Sequence, residues 1–298
     1  MRLVTTADLD GLTAALLLSS CETIDSVALV HPQEISSRRF KVTKDDILVN
    51  LPYLPGCGKW FDNHLLTDAE ATPPPGFDGR YAPAPSAARV VYDHYATRRP
   101  ELERFAPMLA ETDRLDSAQL KLDDVLRPSG YILLGFTLDP RTGLDDLEQY
   151  FKTLLDRLGT QSLDEVLKAP EVQRRVARMR EQDQAFREIT RACSRVDGNV
   201  VFSDFRPVDP LPVGNRFLVY TLFPEVNVSL RANWGLRREK VVVSAGWSIF
   251  NRTCKTKLGV LLSLYGGGGH KGAASCALEP ARADAQVREM IETLKRNG

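Results

Sequence analysis

Residues 265–275 read YGGGGHKGAAS, and the interpretation of the whole chain depends on this stretch. Four consecutive glycines lose much backbone entropy on folding, so a reason for them is expected. One reason is a ligand that approaches the backbone, because bare N–H groups can form a concavity for a phosphate or carboxylate. His270 and Lys271 would then add donors and positive charge. The other reason is a tight turn before a strand or helix of small residues, and the local sequence favours neither.

The composition is that of an ordinary soluble protein of 298 residues, a length that suggests two domains. Lys plus Arg and Asp plus Glu both number 39, which argues against a large non-specific nucleic-acid surface but allows a local pocket for a short polyanion. Five scattered cysteines without a CxxC pattern predict reduced thiols, with neither disulfides nor a zinc site. The longest apolar run is too short to span a bilayer. We therefore expect a cytoplasmic protein with no membrane partner.

The first half of the chain alternates short apolar runs with helical patterns, which predicts a mostly parallel sheet covered by helices. Ser86 is typical of a helix N-cap, and the Pro-rich segment 72–85 reads as a loop. The predicted strands are residues 2–6, 27–31, 46–51 and 60–61, and the predicted helices are 12–20, 86–95, 102–113 and 144–158.

A long charged helix is predicted over residues 170–193, with Pro170 in its first turn. Acids interleave with its arginines, which favours a solvated connector over an arginine-rich nucleic-acid face. The segments after it are β-rich or helical: strands at 200–202, 216–222, 227–233 and 240–245, then a helix at 257–265. We expect an α/β fold, with a parallel-sheet α/β domain at 1–165, a helical connector at 166–195 and a smaller α+β domain at 196–298.

Two carboxylates, Asp8 and Asp10, follow the first predicted strand, and Gly11 lets the backbone turn after them. Ligands collect at the carboxyl ends of parallel strands. Two neighbouring carboxylates repel each other unless a cation or hydrogen-bond donors lie between them. Metal or phosphate chemistry is one interpretation of the pair. The alternative is that Asp10 only caps the helix that opens at Leu12.

Two further segments carry residue types that can bind a metal or take part in catalysis. Asp62, Asn63 and His64 follow a short strand, and Asp with His suits a divalent metal or a phosphate, although a turn is the more common cause of such a tripeptide. Asp113 and Asp116 lie where a helix is expected to end, and ordinary surface charge would explain them alone. The other histidines, His31 and His94, are interpreted as structural.

In this order the pieces resemble the DHH phosphoesterase family with a C-terminal DHH-associated domain, over nearly the whole chain. The family includes RecJ-like nucleases, small oligonucleotide and nucleotide phosphatases and exopolyphosphatase-related proteins. The most specific parts are GGGGHKGAAS and the upstream SIFNRT at 248–253. The resemblance implies that the glycine run grips a substrate phosphate. The implied binding residues are Gly267, Gly268, Gly269 and His270, with Arg252 and Lys255 as helpers.

The resemblance also implies two Mn²⁺ or Mg²⁺ ions held by four Asp- and His-containing motifs. Asp8 and Asp10 keep part of the first motif, and Asp113 is assigned to the fourth. Three of the expected ligand positions carry neutral residues: Thr6, Asn50 and Asn63. An amide does not offset the repulsion between two dications as a carboxylate does. We therefore expect one loosely held Mn²⁺ or Mg²⁺ at Asp8, Asp10 and Asp113, or no metal.

Two functions from different classes follow. The first is a phosphoesterase that acts on a nucleotide, short oligonucleotide or polyphosphate in the cleft between the domains, with Asp8, Asp10, His64 and Asp113 as catalytic residues. The second is a catalytically degenerate protein that keeps the fold and binds a nucleotide or other phosphate compound, which the three neutral positions favour. An RNA-binding protein is a weaker third, because no aromatic-basic interleaving is present. The oligomeric state stays open, a homodimer included.

Overall fold

The structure is a computed structural model that describes residues 1–31, 34–35, 40–64, 72–138, 146–212, 214–269 and 271–296. The chain divides into two compact units, one comprising residues 1–120 and 127–178 and the other residues 121–126 and 179–298. The last boundary lies inside a long helix and within the connector predicted at 166–195. Residues 121–126 belong to the second unit, although residues on both sides of them belong to the first.

The first unit alternates strands and helices. Its strands are β1 (Arg2–Thr5), β2 (Ser26–Leu29), β3 (Asp46–Val49), β4 (Lys59–Asp62) and β5 (Gly79–Tyr81). Its helices, in chain order, are α1 (Leu9–Cys21), α2 (Ala87–Tyr95), a 3₁₀ helix (Pro100–Phe105), α3 (Ala106–Asp116), α5 (Gly130–Thr137), α6 (Leu147–Thr160), α7 (Leu163–Lys168) and the first part of α8 (Pro170–Ala192). Helix α4 (Leu122–Leu126) lies between α3 and α5 and is part of the second unit.

The five strands form a parallel sheet in the order β2-β1-β3-β4-β5. Successive side chains of a strand point to opposite faces. Leu3 and Phe61 join the core that contains α1, α2 and α3. Val4, Leu48 and Trp60 pack in a second core on the other face. Strands buried on both faces are apolar throughout, which is why these short runs indicate a parallel sheet.

Helix α1 is buried from Leu9 to Leu18. A helix that is apolar all round belongs in the protein interior. It begins tightly against the end of β1: a Cβ on Gly11 would lie 2.2 Å from the carbonyl oxygen of Thr6. Only glycine allows this approach, and it brings the first turn of α1 to the carboxyl edge of the sheet.

The second unit is built around a mixed sheet in the order β10-β11-β9-β8-β7-β6, in which β7 and β8 are parallel and the other neighbours antiparallel. Its strands are β6 (Ser194–Asp197), β7 (Val200–Asp204), β8 (Val228–Trp234), β9 (Val241–Trp247), β10 (Gly268–Gly269) and β11 (Ala273–Leu278). Its further helices are α9 (Val219–Leu222), α10 (Leu258–Ser263) and α11 (Pro280–Arg296). Leu258 and Leu262 of α10 and Met290 of α11 pack against the sheet in one core.

The predicted α/β class, with an N-terminal parallel sheet and a second α+β unit, is confirmed. Two local predictions were wrong. Residues 216–222 were predicted as a strand but contain α9, whose short apolar run does not distinguish strand from helix. The predicted loop 72–85 contains β5. This strand lies so close to β4 that a Cβ on Gly79 would be 2.0 Å from the carbonyl oxygen of Trp60. A three-residue strand is too short to show a periodic pattern.

Within the described part of the chain, no helix combines the length and apolarity that a membrane span requires.

Candidate active site at the carboxyl edge of the parallel sheet

Polar side chains lie at the carboxyl ends of three neighbouring strands of the first unit. Thr6 and Asp8 follow β1, Asn50 follows β3, and Asp62 ends β4 with Asn63 directly after it. Because β1, β3 and β4 are adjacent and parallel, these ends meet at one edge of the sheet. This is the edge at which parallel α/β sheets bind ligands.

Asn50 connects the first two positions by hydrogen bonds. Its Nδ2 donates to Thr6 Oγ1 at 2.8 Å and to Asp8 Oδ1 at 3.2 Å. Asn50 is buried and has a φ of +58°, in the left-handed region that asparagine tolerates better than most residues. The neutral amide therefore serves as a donor beside Asp8, where an aspartate would place a second negative charge.

Asp8, and not Asp10, is the N-cap of α1. Its Oδ1 accepts the backbone N–H of Gly11 at 2.8 Å, and the helix begins at Leu9 rather than at Leu12. The hypothesis that Asp10 caps this helix is wrong, because an N-cap lies outside the helix and Asp10 lies in its first turn. Asp8 remains exposed at the edge of the sheet.

Asp10 is buried and holds the N-terminus of α2. Its Oδ2 accepts the N–H of Ala87 at 2.9 Å and its Oδ1 accepts the N–H of Ala88 at 2.7 Å. Burial and the negative charges of Asp116 and Asp8 raise the pKa of Asp10 well above its usual value, although the two N–H groups stabilise the carboxylate. A concentration of negative charge therefore surrounds Asp10.

Asp113, on α3, is paired with an arginine. Its Oδ2 accepts Nε of Arg89 at 2.9 Å and Nη2 at 2.5 Å, and its Oδ1 accepts the hydroxyl of Ser86 at 2.6 Å. Asp116, one turn later and exposed, is the acid of α3 whose charge acts on Asp10 and also raises the pKa of a histidine. The sequence analysis assigned Asp113 rather than Asp116 to the site. It could not predict the Arg89 partnership, because that depends on how α2 packs against α3.

His64 forms a close pair with Asp62, with 2.6 Å between Nδ1 of His64 and Oδ1 of the almost fully buried Asp62. Burial opposes the charged imidazole. The hydrogen bond to Asp62 and the charges of Asp62, Asp116 and Asp10 outweigh it and raise the pKa of His64 to about 9. His64 is therefore positively charged at neutral pH. Asp62 was not among the predicted catalytic residues, yet it orients the predicted histidine.

Asn63 carries an unused acceptor. Its Nδ2 donates to the carbonyl oxygen of Ala84 at 3.1 Å, while its buried Oδ1 has no hydrogen-bond partner among the residues that the structure describes. A buried acceptor of this kind requires an explanation, such as an ion. Amide and carboxylate oxygens are the ligands that hard divalent cations prefer.

Four acids contribute negative charge at this edge. Asp8 and Asp116 act on Asp10, and Asp62, Asp116 and Asp10 act on His64. Thr6 and Asn50 are bonded to each other, and His64 Nδ1 is bonded to Asp62. In the described ranges, no group of three or more His, Cys, Asp or Glu side chains is arranged as a metal site. The metal set predicted from the sequence, Asp8, Asp10 and Asp113, stays a prediction, and the arginine pairing of Asp113 weighs against its part in it.

The glycine run forms the edge strand β10, in which Gly268 pairs with Ser275 of β11. Packing explains two of the glycines. A Cβ on Gly267 would lie 2.1 Å from the carbonyl oxygen of Ser275, and one on Gly269 would lie 2.5 Å from that of Ala273. At Gly268 no heavy atom of the described residues lies within 4 Å of such a Cβ. Close packing against β11 therefore requires glycine at positions 267 and 269, whereas the described residues leave space beside Gly268.

The other predicted phosphate-binding residues are only partly placed. His270 lies outside the described residues. Arg252 and Lys255 are exposed, and Arg252 Nε donates to the carbonyl oxygen of Ile249 at 3.1 Å. Lys271, next to the glycine run, has its Nζ 5.3 Å from the ring centroid of Trp247. The predicted substrate-binding role of these residues stays a prediction.

Solved structures of other proteins resemble this chain. A pGpG-specific phosphodiesterase from Vibrio cholerae, PggH, is 36% identical over 100% of this chain and 99% of that one, with a TM-score of 0.78. RecJ from Thermus thermophilus, solved with Mn²⁺, is 16% identical over 99% of this chain and 52% of its own, with a TM-score of 0.60. The DHH domain of a protein described as belonging to a family of ribosomal proteins is 11% identical over 99% and 87%, with a TM-score of 0.53. The last two likenesses show the fold alone.

No protein-family model matches the sequence, and no curated protein matches it.

Proposed function

The chain belongs to the DHH phosphoesterase family, and we propose that it is a phosphodiesterase that hydrolyses a short linear nucleotide. The observation that carries this proposal is the 36% identity, over both full lengths, to a pGpG-specific phosphodiesterase. A linear dinucleotide of this kind has one internucleotide phosphodiester and a terminal phosphate. A small acidic site at the edge of a parallel sheet suits one such bond. The expected cleft between the two units stays a prediction.

In this proposal, oxygen atoms of Asp8, Asp10, Asp62 and Asp116 would hold one Mg²⁺ or Mn²⁺, and the cation would draw together carboxylates that, among the described residues, form no metal site without it. A bound cation would supply positive charge that offsets the charge of the phosphodiester. Asp62 fixes the orientation of His64 through the 2.6 Å contact, so the imidazole is a preorganised hydrogen-bonding group for a phosphate oxygen. Asn50 holds Asp8 in place through its amide.

The glycine run is proposed to bind a phosphate of the substrate at its open position. Gly268 has no side chain, and the described part of the chain places no heavy atom where a Cβ would stand, so a phosphate oxygen can approach the backbone there. Lys271 adds an exposed positive charge three residues later.

The test is hydrolysis of pGpG by the purified protein with Mn²⁺ or Mg²⁺, followed by separation of the products. The comparison substrates are a nucleoside 3′,5′-bisphosphate, a cyclic dinucleotide, short oligonucleotides and polyphosphate. We expect the linear dinucleotide to be cleaved to mononucleotides and the reaction to stop in chelator. Asp62→Asn should lower kcat by a factor of about 100 or more, because it removes the partner of His64 and a cation ligand. Asp164→Asn, an exposed acid on α7, is the matched control and should not change kcat.

A phosphate-binding protein without catalysis is the second candidate. It is favoured by the Asn50 amide between Thr6 and Asp8 and by the arginine pairing of Asp113. Binding of pGpG by calorimetry, with no turnover of any substrate with either cation, would support it and contradict the phosphodiesterase.

A further inference from the structure

We propose that Asp113 is a positioning residue that acts on the buried carboxylate of Asp10 through the first turn of α2. Arg89 and Ser86 are its intermediaries. The inference rests on the proposed function, since it assigns a role within the same site. It differs from the role in cation binding that the sequence pattern suggested for Asp113.

Both carboxylate oxygens of Asp113 already accept hydrogen bonds. Arg89 donates through Nε and Nη2 to one oxygen, and Ser86 donates to the other. Hydrogen bonds between an arginine and a carboxylate are charge-assisted and are about twice as strong as neutral ones. With exposed side-chain fractions of 28% for Arg89 and 16% for Asp113, the pair is partly shielded from water. The side chain of Asp113, on α3, is therefore held against α2.

These hydrogen bonds meet at the N-terminus of α2. Ser86 is the N-cap, and its hydroxyl accepts the N–H of Arg89 at 3.0 Å while donating its own proton to Asp113. One hydroxyl can do both, because it has one proton and two lone pairs. Arg89 is thus tied to Asp113 by its side chain and to Ser86 by its backbone. The geometry of the first turn of α2 depends on Asp113.

The same turn of α2 binds the carboxylate of Asp10. The donors to its two oxygens are the N–H groups of Ala87 and Ala88, the first two residues of α2. Asp10 is 2% exposed, so it cannot replace these donors with water. A shift of the turn would leave a buried carboxylate partly unpaired, which is costly. Asp10 would then move to recover its partners.

A separate hydrogen bond connects α1 and α3. Thr13 and Thr112 place their hydroxyl oxygens 2.7 Å apart, and both are buried. Helices α1, α2 and α3 are therefore joined pairwise around Asp10. The Asp113 contacts are the α2–α3 side of this triangle. Removing them breaks this tie between α2 and α3, while α1 stays joined to α3 through Thr13 and to α2 through Asp10.

The test compares Asp113→Asn, Arg89→Lys and Asp116→Asn by Mn²⁺ titration calorimetry and by kcat and KM for pGpG. We expect Asp113→Asn to weaken Mn²⁺ binding only about threefold, because Asp10 is displaced but stays a ligand, and to lower kcat about tenfold with KM unchanged. Arg89→Lys keeps the charge but loses the fork and should have the same effect. Asp116→Asn should weaken Mn²⁺ binding about 10- to 100-fold. If Asp113→Asn abolishes Mn²⁺ binding while Arg89→Lys changes nothing, the proposal is overturned.

A thermal double-mutant cycle between Asp10→Asn and Asp113→Asn separates this proposal from the proposed function. It needs neither cation nor substrate. Asp10 and Asp113 are connected through α2, so we expect the decrease in Tm of the double variant to be smaller than the sum of the single decreases. Additive decreases would contradict the positioning role, even in a protein that hydrolyses pGpG. Ser86→Ala in place of Asp113→Asn gives the same cycle if Asp113→Asn does not fold.

Discussion

At the residue scale, the neutral side chains at the sheet edge have defined partners. Asn50 donates to Thr6 and Asp8, so its amide replaces charge repulsion with hydrogen bonds. Asn63 donates to a backbone carbonyl and keeps an unpartnered buried oxygen, within the described part of the chain. The sequence showed that these residues are neutral and poor metal ligands. It did not show that one of them would be a donor to the other motif residues.

Asn50→Asp tests this role. Without divalent cation, the variant should lose about 1–3 kcal/mol of unfolding free energy, because the amide donor is removed and a second carboxylate is placed beside Asp8. With Mn²⁺ present, its Tm should rise more than that of the unmodified protein, since the cation relieves the new repulsion. Thermal unfolding in EDTA and in Mn²⁺ measures both.

Asn233→Asp is the control for Asn50→Asp, because Asn233 Oδ1 already faces Arg231 in the second unit and tolerates an acid. Its Tm should not respond to Mn²⁺ more than that of the unmodified protein. Equal Mn²⁺-induced shifts for Asn50→Asp and the unmodified protein would show that position 50 is not near a cation site.

At the element scale, β10 shows that the glycine run has two reasons. The local sequence left open whether a ligand or a tight backbone path required the glycines. The structure gives a backbone reason for Gly267 and Gly269, which lie against β11, and leaves Gly268 without one. The family resemblance attributes Gly267, Gly268 and Gly269 to phosphate binding. Pairing with β11 could not be read from the sequence, since a two-residue strand has no periodicity.

Gly267→Ala and Gly268→Ala form a matched pair. The first should lower the Tm by several degrees, because its methyl group would overlap the carbonyl oxygen of Ser275. The second should fold normally, since none of the residues that the structure describes fills the space beside Gly268. It should nevertheless raise the KM for pGpG about tenfold if a phosphate approaches the backbone there. An unchanged KM in a normally folded Gly268→Ala protein would contradict the phosphate role of β10.

At the scale of the whole molecule, the charge balance limits what kind of nucleic acid can bind. The chain has 39 basic and 39 acidic residues, so it has no net charge to attract a long polyanion. In the proposed function, binding of a short nucleotide would then depend on local groups such as His64. This agrees with a substrate that carries few phosphates and disfavours the RNA-binding alternative.

The salt dependence of KM for pGpG tests this argument. For a ligand whose two phosphates are both contacted, affinity should fall roughly sevenfold between 50 and 200 mM KCl. A surface that tracks six phosphates of a single strand would lose about 300-fold over the same range. A loss of that size with a short oligonucleotide would favour the RNA-binding reading over a dinucleotide site.

The sequence alone was sufficient for the parallel α/β class of the first unit, for four of its five strands and for the positions of most motif residues. Apolar runs of four to eight residues between helical patterns are sufficient for a parallel sheet, and the observed strands match them closely at β1, β3 and β4. The same periodicity could not distinguish strand from helix at 216–222. The family resemblance rested on short motifs that survive when individual ligands change.

Only the tertiary structure decided which side chains meet. Asp113 and Asp116 are equivalent in the sequence, yet one is paired with Arg89 across two helices and the other acts on the charge of Asp10 and His64. Asp8 rather than Asp10 caps α1, because Gly11 lets the helix start closer to β1 than the apolar pattern indicated. Local patterns record backbone preference and burial. The partners of a charged group depend on distances between elements that are far apart in the chain, and packing alone sets those distances.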